Sequence, residues 1–184
     1  FLSVICLASC EDFLSEGPTT SLSEDSVYSN EANLEAGAIG VYAALKGTNY
    51  GWTKQMGEFI AYPSILIHWK DNRTADNYVQ TLTCSMYATS ADNQGLYDFI
   101  YDPIYKINKM IEAMEISPVD QAYKNEIEGE MKFLRAWQYY AAVRFWGDVP
   151  LIIATPKNID QTDAPRVHYA EVYKQIIADL EYAE

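Results

Sequence analysis

The chain is poor in the residues that carry most enzyme chemistry. It has only two histidines, His68 and His168, far apart in sequence. No zinc-binding HExxH pattern, cysteine pair, phosphate-binding glycine loop or serine elbow is present. A glycosidase needs two positioned carboxylates, but 26 acidic residues always allow a pair by chance, so their number argues nothing. Asp71-Asn72 with Asp76-Asn77 offers oxygens to calcium, yet the spacing and the missing glycine do not fit an EF-hand loop. We therefore expect no catalytic residue, no metal and no cofactor.

Basic charge is also scarce. Thirteen Lys and Arg against 26 Asp and Glu leave a net charge of −13. Such a surface repels phosphate backbones, which argues against nucleic acid, and it disfavours peripheral binding to anionic lipid. No apolar run approaches the roughly 20 residues that a membrane-spanning helix needs. Strand-like alternation is absent throughout, which points to an all-α class. Three cysteines make no disulfide framework.

What is present starts at the first residues. An apolar stretch ends in Leu7-Ala8-Ser9-Cys10, with Glu11-Asp12 directly after it. This resembles a bacterial lipobox, the tail of a secretory signal followed by the cysteine that carries the lipid. On that reading residues 1–9 are residual signal peptide and Cys10 is the lipidation site. Cys6 then leaves with the signal, and Cys84 remains as a small buried hydrophobe. The alternative is an ordinary N-terminal core strand or helix turn. Residues 10–29, polar and carrying Gly17-Pro18, read as an extended tether, and 30–184 as one helical domain.

Apolar spacing near 3.6 predicts four helices. The first spans 30–46, with Leu34, Ala38, Val41, Tyr42 and Leu45 on one face, Asn30 as cap and Gly47 as terminator. The second spans 95–115, through Leu96, Phe99, Ile100, Ile104, Ile107, Ile111 and Met114. Pro103 either kinks it or marks its true start, with Asp102 as cap. The third spans 120–146, capped by Asp120, facing inward through Ile127, Met131, Leu134, Gln138 and Ala141, and stopped by Gly147. The fourth spans 169–183, through Val172, Ile176, Leu180 and Ala183. The short turn at 117–120 suggests an antiparallel helix pair, and stacked pairs make a tetratricopeptide-like solenoid. No clean 34-residue repeat supports it. Residues 48–93 form a long irregular insertion, with a short helix near 53–61; such stretches are often functional.

Five blocks in order resemble the SusD/RagB family, the outer-membrane glycan-capture lipoproteins of Bacteroidetes. They are Cys10-Glu11-Asp12-Phe13-Leu14 with Pro18; the helix from Ala36 to Leu45; Tyr101-Asp102-Pro103-Ile104-Tyr105-Lys106-Ile107-Asn108; the run from Gly129 to Tyr140 with Phe145-Trp146-Gly147-Asp148-Val149-Pro150-Leu151; and Pro165-Arg166 with the helix from Glu171 to Leu180. The chain departs from the family pattern at His168, where a capping Ser or Thr is usual, and at Pro103. The resemblance implies the N-terminal part of a helical scaffold, its C-terminal portion absent. It further implies a lipid anchor in the outer membrane, surface exposure and a SusC-type TonB-dependent transporter as partner. Oligosaccharide or polysaccharide is the implied ligand. The face that packs on the remaining portion should then expose apolar surface.

Fifteen tyrosines, each an apolar ring with a polar tip, suit a surface that grips sugars, peptides or other proteins, and equally suit partial burial between helices. A sugar site needs a flat aromatic for the C–H face of the ring and amides, carboxylates or guanidinium for the hydroxyls. Trp52, Trp69 and Tyr78, with Asp71, Arg73 and Asn77, offer both within the irregular insertion, and Tyr87 lies nearby. The same aromatics would equally serve to pin a long loop to the helices. Arg135, inside an apolar helix, reads as a buried cation paired with a carboxylate or helix carbonyls, or as a ligand contact; Asn108 reads as a helix-packing hydrogen bonder. Two further functions stay open: a helical protein–protein adaptor, and a surface glycoside hydrolase.

Overall fold

The computed structural model describes residues 28–46, 91–158 and 163–184. Among them are four helices, α1 (Glu31–Lys46), α2 (Ala91–Ile116), α3 (Gln121–Trp146) and α4 (Tyr169–Ala183), and two short strands, β1 (Val149–Pro150) and β2 (Arg166–Val167). The class is all-α, as the spacing predicts.

Asn30 starts α1: its side chain accepts from the Asn33 amide at 2.9 Å. Leu34, Ala38, Val41 and Leu45 are buried against Ile107, Met110, Met114, Ile127, Met131 and Leu134. Tyr42 is not part of that face. It is exposed, and its phenol donates to Glu130 of α3 at 3.2 Å. The expected terminator Gly47 lies outside the described residues.

Helix α2 runs unbroken through Pro103. Proline has no N–H, so the carbonyl of Phe99, one turn earlier, loses its intrahelical donor. Gln138 on α3 supplies the replacement: its Nε2 donates to Phe99 O at 3.2 Å. Its own Oε1 is buried with no hydrogen-bond partner among the described residues. The second helix therefore starts at Ala91, not at Pro103, and Asp102 is no cap.

Helix α3 begins at Asp120, whose carboxylate accepts from the Ala122 amide at 2.9 Å, and ends at Gly147, whose φ of 70° suits glycine. All five residues expected to face inward are buried. The turn before it is tied to the start of α1, because Ser117 Oγ donates to Tyr28 O at 2.7 Å.

Beyond Gly147 the chain forms an antiparallel ribbon, Val149 opposite Val167 and Pro150 opposite Arg166. Two-residue strands show no alternation, so the sequence does not announce them. The ribbon delivers α4, capped by His168, whose Nδ1 accepts from the Ala170 amide at 3.3 Å. Along α4, Val172 and Ile176 are buried as expected, but Leu180 is exposed, and Asp179 turns inward in its place.

Helices α2 and α3 form a spine with two cores. Their far ends, together with β1 and α4, enclose Leu96, Ile100, Ile104, Tyr139, Val143 and Val172. Helix α1 closes the other core. Each helix packs on its sequence neighbour, the arrangement of stacked helix pairs. Phe133, Trp137 and Tyr140 follow one outer stripe of α3 and are exposed, as are Ile177 and Leu180 on α4. Among the described residues no helix is long and apolar enough to cross a membrane.

Candidate functional site

The sugar-contact residues expected from sequence, Trp52, Trp69, Asp71, Arg73, Asn77 and Tyr78, lie outside the described residues, as do Tyr87 and Cys10. The described residues provide the frame from which the insertion departs, at the end of α1, and to which it returns, at the start of α2.

The most constrained part of that frame is centred on Arg135. Its guanidinium forks onto Asp179, Nε to Oδ2 at 2.8 Å and Nη2 to Oδ1 at 2.7 Å. Nη1 donates to Asn108 Oδ1 at 2.8 Å and to Ile153 O at 3.3 Å. Asn108 in turn donates to Ile152 O at 2.9 Å, and Gln175 donates to Asp179 Oδ1 at 2.9 Å. Tyr139 reaches the same stretch of backbone, donating to Ile152 O at 2.8 Å and accepting from Ile152 N at 2.7 Å. Three helices and the segment after β1 meet in one buried network. Arg135 and Asn108 are thus the buried paired cation and the packing hydrogen bonder that the sequence suggests. Neither is open to a ligand, as Arg135 is 5% and Asn108 1% exposed.

A second cluster lies at the opening turns of α2, close to where the insertion rejoins the frame. Tyr97 stacks on Tyr101 with ring centres 4.3 Å apart and planes 23° from parallel. Trp146 lies tilted against Tyr97 at 5.8 Å and donates through Nε1 to Asn93 at 3.0 Å. The Tyr101 hydroxyl donates to Pro150 O at 2.8 Å. Burial, reinforced by the neighbouring Tyr139 and Tyr97 phenols, pushes the Tyr101 hydroxyl well above the ordinary tyrosine range. Burial also raises Tyr97, with Arg166 opposing. Tyr101 is fixed, whereas Tyr97 remains 39% exposed beside Asn93 and Arg166. The i, i+4 pair of tyrosines is visible in the sequence; the partnership with Trp146, across two helices, is not. No group of three or more metal-ligating side chains occurs among the described residues.

A buried polar hub, paired helices and a surface aromatic cluster make up a helical scaffold. The SusD-like family, described as "Starch-binding associating with outer membrane", matches residues 12–184, and the chain belongs to that family. SusD-like protein P2 of Formosa agariphila is 27% identical over 98% of the chain and 36% of its own length. A SusD homolog from Bacteroides thetaiotaomicron superposes with a TM-score of 0.74 at 20% identity, covering 91% of this chain and 32% of that one. A laminarin-binding SusD-like protein superposes with a TM-score of 0.72 at 21% identity, covering 85% and 34%. The chain spans about a third of the length of these proteins.

Proposed function

We propose that this chain belongs to a cell-surface lipoprotein that captures oligosaccharides and passes them to a SusC-type TonB-dependent transporter in the outer membrane. The observation that carries this is the family match over residues 12–184. The laminarin-binding protein that shares the fold supports carbohydrate as the ligand class. Residues 1–9 are the remainder of a signal peptide, Cys10 carries the acyl chains, and 10–29 are the tether. Ligand is held by Trp52 and Trp69 as stacking surfaces, with Asp71, Arg73 and Asn77 on the hydroxyls and Tyr78 beside them. The role is binding and not catalysis.

The test uses the intact protein against a glycan array, with isothermal titration of whatever binds. A buried polar partner is worth about 1–3 kcal/mol, and a stacked aromatic should be worth as much. Trp69→Ala should weaken binding about tenfold while leaving the melting temperature nearly unchanged. Lower stability with unchanged affinity would make Trp69 a loop pin. Failure on every glycan with transporter binding retained would favour the adaptor, and release of cleaved sugar would favour the hydrolase. Cys10→Ala should move the protein from membrane to soluble fractions.

A further inference from the structure

The core face of the second half of α2 is occupied by Ile104, Ile107, Met110 and Met114. The opposite face carries Tyr105, Lys109, Glu112 and Ile116, spaced four, three and four apart and so aligned in one stripe. That stripe forms one wall of a cleft of about 350 Å³, and Tyr28, Thr155 and Pro156 form the other. The Glu112 carboxylate is fixed there: the Thr155 amide donates to Oε1 at 2.7 Å and the Thr155 hydroxyl donates to Oε2. The segment that the Arg135 network pins along α2 through Ile152 and Ile153 thus also sets the cleft's polar wall. Tyr105 is 48% exposed at its mouth.

We propose that this cleft is a second carbohydrate subsite, built from residues other than the six proposed sugar contacts, that takes one or two rings of a neutral oligosaccharide. Tyr105 offers a flat apolar surface for the C–H face of a pyranose. Glu112 retains lone pairs on fixed oxygens to accept from sugar hydroxyls, and Lys109 is a donor. One cation and one anion give the cleft no net charge of its own, and the chain's −13 disfavours sulfated or uronic sugars. Its volume is at the small end of the roughly 300–1,000 Å³ of small-molecule sites, which fits a short stretch of sugar and not a whole chain. A groove for a partner helix would be lined by apolar side chains, whereas here Lys109, Glu112 and Thr155 set two charges and a hydroxyl among Ala113, Ile116 and Pro156.

The inference rests on the glycan-capture reading, and the experiment separates the two. Laminari-, malto- and xylogluco-oligosaccharides of six or more rings are titrated into the intact protein, its Trp69→Ala variant and its Tyr105→Ala variant. With the best-bound sugar, Tyr105→Ala should lose about three- to tenfold in affinity at an unchanged melting temperature. A nitroxide-tagged form of that sugar should broaden the amides of Tyr105, Lys109 and Glu112. At equal, sub-saturating sugar the broadening should persist in Trp69→Ala and weaken in Tyr105→Ala. If wild type binds none of these sugars and no other glycan on the array, the capture reading and the subsite both fall. If wild type binds and neither the affinity nor the amides respond to Tyr105→Ala, the subsite alone is overturned.

Discussion

The guanidinium of Arg135 is nearly sealed from water, yet every partner it needs lies within reach. Removing a charged pair from water is expensive, and the fork onto Asp179 offsets that cost only while both partners remain. Arg135→Met should therefore destabilise the protein by about 3–5 kcal/mol, because it leaves a buried carboxylate unpaired. Asp179→Leu should do the same from the other side. The double variant should cost clearly less than the sum of the two, as read by urea denaturation. Strict additivity would mean the two charges do not support each other. The sequence shows half of this pair. An arginine among Phe133, Leu134 and Ala136 has to be buried with an acceptor, but nothing local says that the acceptor stands 44 residues onward. The same pairing explains Leu180: a period of 3.6 prefers the leucine, whereas Arg135 draws Asp179 inward.

Capping and spacing are local, so the helices are legible almost to the residue. Asn30, Asp120 and Gly147 act as their chemistry predicts, and even the unusual His168 caps with a ring nitrogen where a hydroxyl is expected. The ribbon is not legible, because its pairing joins residues across a connection and each strand is too short to show a pattern. Helix α1 carries two glycines in one turn, Gly37 and Gly40. A Cβ at Gly40 would meet nothing within 4 Å, whereas one at Gly37 would lie 2.8 Å from Met110 Sδ and 3.0 Å from Tyr28 Cε1. Gly40→Ala should therefore stabilise by up to about 1 kcal/mol, the propensity gain alone. Gly37→Ala should lose most or all of that gain, because Met110 is buried and the tyrosine ring is stiff. Equal thermal shifts for the two would contradict the close approach of α1 to α2.

At the scale of the whole molecule, the family and the helix order are written across many short blocks, and the fold follows from them. The proposed sugar contacts are not legible in that way, because residues 48–93 carry no sustained helical period that would place them. What the frame does predict is a weakness in alkali. Tyr101 and Tyr139 both have hydroxyls raised by burial above the ordinary value near 10. The folded state holds these protons more tightly than the unfolded one. Their contribution is complete below pH ~10 and is lost as pH rises beyond it. The melting temperature should hold level to about that pH and then fall steeply, with net charge of −13 at neutral pH growing more negative. Tyr101→Phe, which removes one titrating group, should make the fall shallower. An unchanged slope would place the alkaline transition elsewhere.

The carbonyl that Pro103 leaves without a donor also bears on the order in which the chain assembles. During synthesis α2 emerges before α3, so Gln138 is not yet available when Pro103 is exposed. Until it arrives, α2 amounts to two short helical stretches on either side of a proline, each too brief to be stable alone. Docking of α3 should then join them into one rod, through the Gln138 bond to Phe99 O. The pair is then the smallest cooperative unit, and Gln138→Leu should unlatch it. Amide exchange around Pro103 should quicken in that variant more than exchange at the α3–α4 contact. Uniform quickening would mean that Gln138 is a packing residue and no latch.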